Sequence, residues 1–256
     1  MNFFFTLNGE GLDNQIIIPK FTNKNYKKKN YKLFRASPIN DKWEISNIKT
    51  KEDNDFYFLH FFNHQNSEDI FFLASYEEVK NIEKNNFEKL LNLNSFTDTM
   101  PSYRANLKIK NEFGGFSSYQ SEYPYEMTIK NGSVLSPLSV LLSNKNDYNF
   151  IFYRNIFYKP IKHKFDIFFI NIENKEILFK QTLFTNSSNQ ILVDKKFIKK
   201  NVYFFAKGYL GIPIFLSIKN NHLSFEHTHP PHLYILSDNK FKIISKLKEK
   251  IDEIVN

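Results

Sequence analysis

The chain contains no cysteine. A disulfide framework, a thiolate metal site and a cysteine nucleophile are therefore excluded. Arginine is nearly missing too: Arg35, Arg104 and Arg154 are the only three among 35 basic residues. Recognition of phosphates and bases leans on arginine's planar fork. The net charge of +8 thus reads as solvated lysine faces, and no nucleic-acid partner is expected. No apolar run approaches the ~20 residues of a membrane-spanning helix. The opening MNFFFTLNGEGLD has no basic region before its three-Phe run, which argues against a secretory signal. A cytoplasmic protein without a membrane partner is the expectation.

Alanine is scarce, and glycine appears only seven times. The apolar content is instead carried by 29 Phe and 14 Tyr with abundant Ile, a mix suited to pleated, half-buried strands. Short apolar runs separated by Asn, Asp, Gly and Pro clusters recur along the chain. Two hairpins stand out. One joins Phe165–Ile172 to Glu176–Phe184, and the other joins Ile212–Ile218 to His222–Thr228 through Lys219-Asn220-Asn221. Helical texture occurs twice. Ser75 and Glu78 form a Ser-x-x-Glu capping box ahead of an apolar stripe through Val79, Ile82, Phe87, Leu90 and Leu91. Near the end, Phe241, Ile244, Leu247, Ile251 and Ile254 make a stripe behind a Ser237 or Asp238 cap.

The fold expected is mainly β: an antiparallel β-sandwich, jelly-roll-like, with one internal helix over about 76–92 and a C-terminal amphipathic helix over about 239–254. Polar Ser95–Pro101 divides an N-terminal β-rich lobe with one helix (1–98) from a sandwich with the C-terminal helix (99–256), unless the two form one continuous domain. The C-terminal helix is expected to dock on its own sheet, with a homo-oligomer through its stripe as the other use.

No Ser-His-Asp arrangement, phosphate-cradling glycine loop or His-Glu-x-x-His helix is present. Two windows gather the rarer residue types. The second, HLSFEHTHPPH at His222–His232, holds four of the seven histidines. Strand alternation puts Leu223, Phe225, His227 and His229 on one face, with Glu226 on the other. Pro230-Pro231 then ends the strand and can return His232 toward the pair. His227, His229 and His232 are the candidate ligands for a divalent metal, Zn or Fe, with a proline-rich structural turn as the alternative. The His-x-His spacing on a strand is similar to that of cupins, but Pro-Pro-His follows where a cupin carries a Glu, so no family is assigned.

The first window, FGGFSSYQSEYPYE at Phe113–Glu126, reads as a loop mixing aromatic faces with donors and acceptors, a texture suited to a small-molecule or glycan ligand. A loop that merely covers a sheet edge would have the same letters. Arg104, Tyr119, Gln120, Tyr123 and Arg154 are the candidate substrate-binding residues, and Glu122 and Glu126 the candidate proton carriers. Arg104 and Arg154 sit in apolar surroundings and each needs a carboxylate or anionic partner. Two functions follow as expectations. One is a metal-dependent enzyme acting on a small polar or carbohydrate-like substrate where the two windows meet. The other is a non-catalytic carbohydrate-binding or accessory module without metal.

Overall fold

The computed structural model describes residues 2–7, 9, 11–20, 31–61, 68–88, 105–227 and 236–256. The first half contains β1 (Asn2–Phe5), β2 (Leu12–Pro19), β3 (Lys32–Ile39), β4 (Lys42–Asn47), β5 (Lys51–Glu52), β6 (Phe56–Phe61), β7 (Ile70–Ala74), α1 (Tyr76–Asn85), β8 (Asn106–Asn111), β9 (Phe116–Gln120) and β10 (Tyr123–Pro124). The second half continues with α2 (Tyr125–Ile129), β11 (Asn131–Pro137), α3 (Leu138–Leu141), β12 (Tyr148–Arg154), β13 (Lys164–Asn171), β14 (Glu176–Phe184), β15 (Ser188–Leu192), β16 (Val202–Tyr209), β17 (Ile212–Lys219), β18 (His222–His227) and α4 (Lys240–Val255).

The protein is mainly β, with 52% of the chain in strands and every sheet antiparallel. Two sheets of five strands (β10-β1-β7-β3-β4 and β5-β6-β2-β8-β9) and two of four (β11-β16-β13-β14 and β15-β12-β17-β18) are arranged in the manner of a four-bladed β-propeller. The winding differs from a propeller of consecutive hairpins. β2 leaves the first sheet for the second before β3 returns, and β12 and β15 alternate between sheets with β11, β13 and β14. The expected boundary at Ser95–Pro101 lies outside the described residues. Beyond it, β8, β9 and β10 still complete the first two sheets.

Three cores hold the sheets together, and the period of two explains how one strand serves two of them. On β12, Phe152 faces the first-half core with Ile214, Leu216 and Phe225. Its neighbours Ile151 and Tyr153 face the opposite way, toward Ile167, Phe169, Phe204 and Ala206 of the adjoining sheet. Each such ring or branched side chain contributes about 1.5–3 kcal/mol on burial. This sheet is covered on both faces, so β12 and β17 carry unbroken apolar runs instead of alternating ones. The third core lies under α4, where Leu247, Ile251, Ile254 and Val255 meet Leu135, Phe168, Ile170 and Phe205. The C-terminal stripe therefore docks in cis, pinned by Lys207–Asp252 at 3.1 Å and by Lys248 Nζ donating to the Ser133 carbonyl at 2.8 Å.

Both helices follow their local signals with small differences. The Ser75/Glu78 capping box forms in both directions, and Asn86 at φ +52° ends α1, leaving Phe87 buried beneath it. Leu90 and Leu91 lie outside the described residues. The cap of α4 is Asn239, not Ser237 or Asp238; Ser237 instead accepts the Asn239 N–H at 3.2 Å.

Candidate functional site

The first window is not a loop. Asn111 builds a tight turn by accepting the Gly115 N–H on Oδ1 at 2.8 Å, while Gly114 takes φ +84°, a conformation that favours glycine. The chain then reverses, and Phe116–Gln120 pairs along β8 as β9. Tyr123-Pro124 pairs with β1, and Glu126 falls in the short α2. Alternation along β9 separates the candidate residues. Tyr119 shares the inward side with Leu107, whereas Ser118 and Gln120 share the outward side with Lys108 and Asn106.

The second window meets this strand. Asn220 and Asn221, at φ +48° and +65°, make the β17–β18 turn. Asn111 Nδ2 donates to the Asn221 carbonyl at 2.9 Å, so the two hairpin turns are tied together. A Cβ added at Gly115 would sit 2.3 Å from that same carbonyl oxygen, which explains a glycine where the backbones approach so closely. From this tie β9 and β18 run alongside each other. The Tyr119 ring packs edge-on against Phe225 at 5.7 Å and His227 at 4.6 Å between centroids. The His227 N–H donates to Glu226 Oε1 at 3.0 Å, while Glu226 itself stays exposed.

The other candidates go elsewhere. Glu122 is buried and its Oε1 accepts the Ala105 N–H at 2.9 Å, bracing the start of β8. Glu126 is exposed on α2. Tyr123 is fully buried; its hydroxyl donates to the Leu210 carbonyl at 2.8 Å, and burial pushes its pKa up. Arg104, His229 and His232 lie outside the described residues. Among the described residues no three His, Cys, Asp or Glu side chains cluster to hold a metal ion.

Arg154 anchors a separate polar centre where β12 meets the first half. Its guanidinium is fully buried. Nη2 donates to the carbonyls of Asp69 at 3.0 Å and Glu68 at 3.3 Å, and the group lies 5.9 Å from the centre of the Phe5 ring. Burial pushes its pKa down to about 10, against the opposing pull of Tyr123, Asp69 and Glu68. The Asp69 carboxylate accepts from Ser37 Oγ at 2.6 Å and lies 3.8 Å from Arg35 Nε. Burial nonetheless pushes its pKa above the ordinary 3.8, outweighing Ser37, Arg35 and Arg154. Lys162 pairs with the Glu68 carboxylate on the outer side. Arg154 thus meets the backbone carbonyls of Glu68 and Asp69 together with the charges of the same two residues, and the carbonyl contacts are ones residue types alone do not advertise.

Three placements bear on function. The seam of Tyr119 and His227 brings the two windows into contact, the outward side of β9 keeps Ser118 exposed, and Glu122, Asp69 and Arg154 are buried with hydrogen bonds inside the protein. No helix among the described residues is long and apolar enough to cross a membrane. No family model matches the chain, and neither curated proteins nor solved structures yield a match to it.

Proposed function

We propose that this protein is a non-catalytic β module that binds a polar, carbohydrate-like ligand, with β9 as the centre of its site. Within the four-sheet arrangement, the sheets that carry β9 and β18 pack on one shared core through Leu107, Ile109, Leu216 and Phe225, which gives a rigid support for such a surface. The observation that carries this reading is the 4.6 Å contact between Tyr119 and His227. It joins an aromatic ring and an imidazole from two hairpins, with Glu122 held by the Ala105 N–H and Glu226 by the His227 N–H. An aromatic ring and an imidazole side by side suit the stacking and hydrogen bonding of a polar ligand. Isothermal titration against a panel of oligosaccharides tests it. Binding by the native chain and its loss in Tyr119→Ala is the expected result; equal binding by the variant refutes the site.

A metal-dependent enzyme is the second reading, favoured by His227 standing at the end of β18 inside the same seam. His229 and His232 would complete the ligand set for zinc or iron. Elemental analysis decides: less than stoichiometric metal in the native protein, or undiminished metal in His227→Ala, removes this reading.

A further inference from the structure

The sheet β5-β6-β2-β8-β9 turns one face into the first-half core and the other outward. Burial alternates along β2 and β8, with Leu12, Ile16, Leu107 and Ile109 inside and their neighbours less covered. Cross-strand register shows what the outward face collects. Phe58 lies near one end, next to Lys51 of the edge strand β5, in the row that runs through Ile17 and Asn106 to Gln120. Phe116 lies at the opposite corner, four residues along β9 from Gln120, and is 61% exposed. Three strand spacings and four residues of rise separate the two rings by roughly 20 Å. Between them, Gln15 and Asn106 present amides and Ser118 presents a hydroxyl.

The charge on this face is uneven. Lys51, Lys108 and Lys110 stand on it against one acid, Asp13. Lys108 Nζ lies 4.4 Å over the Phe116 ring. The lysines that look scattered along the sequence are thus gathered beside an aromatic ring by strand pairing.

We propose that this face binds an acidic glycan chain, laid diagonally from Phe58 to Phe116. The inference rests on the binding-module reading above and extends it from the Tyr119 seam to the other side of the same strand. Sugar C–H faces pack on the two rings. Amides and the serine hydroxyl read ring hydroxyls, and the lysines meet carboxylates or sulfates. Charge complementarity selects an anionic polymer over a neutral one. The spacing of the rings selects a glycan over single-stranded nucleic acid. Successive bases stack on a continuous run of rings, whereas here the Phe56–Phe58 pair, 6.4 Å between centroids, and Phe116 stand at opposite ends of the face with Ile17, Gln15, Asn106 and Ser118 between them.

The test is affinity electrophoresis of the full chain through gels containing polygalacturonate, alginate or hyaluronan. Fully methyl-esterified polygalacturonate and poly(dT) serve as comparisons. Retardation by at least one acidic glycan is expected, weakened about tenfold by Lys108→Gln and by Phe116→Ala, and weakened likewise by esterification or added salt. Both side chains face outward, so melting temperatures should stay within about 2 °C of native. Acidic-glycan binding that survives both variants but is lost in Tyr119→Ala overturns this inference and leaves the module reading standing. Binding to no glycan in this panel or in the oligosaccharide titrations overturns both. Tighter binding to poly(dT) than to any glycan, lost in Phe116→Ala, makes the face a nucleic-acid platform instead.

Discussion

Replacing Arg154 by methionine should destabilise the protein by about 3–5 kcal/mol at neutral pH, the usual cost of removing one member of a buried charged cluster. The side chain volume is nearly kept, so the loss comes from electrostatics and hydrogen bonding. The buried carbonyl of Asp69 and the partly buried one of Glu68 lose their donor. The Asp69 carboxylate also loses one of the two cations that oppose its desolvation. The pH dependence carries the sharper test. Asp69 already titrates above its unfolded value, so the stability linked to its protonation is present at low pH and lost as pH rises through the folded pKa. Without Arg154 that folded pKa climbs further, and ionised Asp69 becomes costlier still at pH 7. The destabilisation by Arg154→Met should therefore be larger at pH 7 than at pH 4. Asp69→Asn in the same chain should recover part of it at pH 7. Urea denaturation of the single and double variants at both pH values reads these quantities. A penalty below about 1 kcal/mol at pH 7, or one that is equal at the two pH values, would refute the buried-cluster reasoning.

Other substitutions probe single contacts. Ile251→Ala, on the inner face of α4 with no exposed surface, should cost about 2–5 kcal/mol and open the C-terminal helix to limited proteolysis. Ser75→Ala removes the acceptor for the Glu78 N–H and should cost about 1 kcal/mol, read as a lower denaturation midpoint at unchanged slope. Gly115→Ala drives a methyl to 2.3 Å from the Asn221 carbonyl. It should lower the melting temperature and weaken the Tyr119–His227 contact, visible as a shift in the His227 ring resonances.

What could be read from the sequence was whatever is settled within a few residues. The Ser75/Glu78 box, the stripe of α4 and the paired asparagines of the β17–β18 turn all carry their own chemistry, and each appears at or within a residue or two of its expected place. Partner choice across long stretches was not legible. Phe116–Gln120 has a polar, loop-like composition and becomes a strand because Asn111 and Gly114 fold it back onto β8. Tyr123 looks like a ligand-stacking ring until β1 is laid beside it and Leu210 takes its hydroxyl. Arg154 demanded a partner, but two peptide carbonyls can belong to any residues. The lysines of the outward face illustrate the same limit, since Lys51 and Lys108 become neighbours of one surface only through the register of β6, β2 and β8.

The position of β1 has a kinetic consequence. Its strand partners are β7, some 65 residues downstream, and β10, some 120 residues downstream, where Phe3 meets Tyr123 and Ser121 Oγ donates to the Phe5 carbonyl. On a ribosome the first strand would emerge long before either neighbour exists. Three consecutive phenylalanines would wait there unpaired, a segment suited to chaperone capture and prone to association with other nascent chains. The rate of productive folding should then be governed by the arrival of residues 121–124, with the opening strand among the last to be secured.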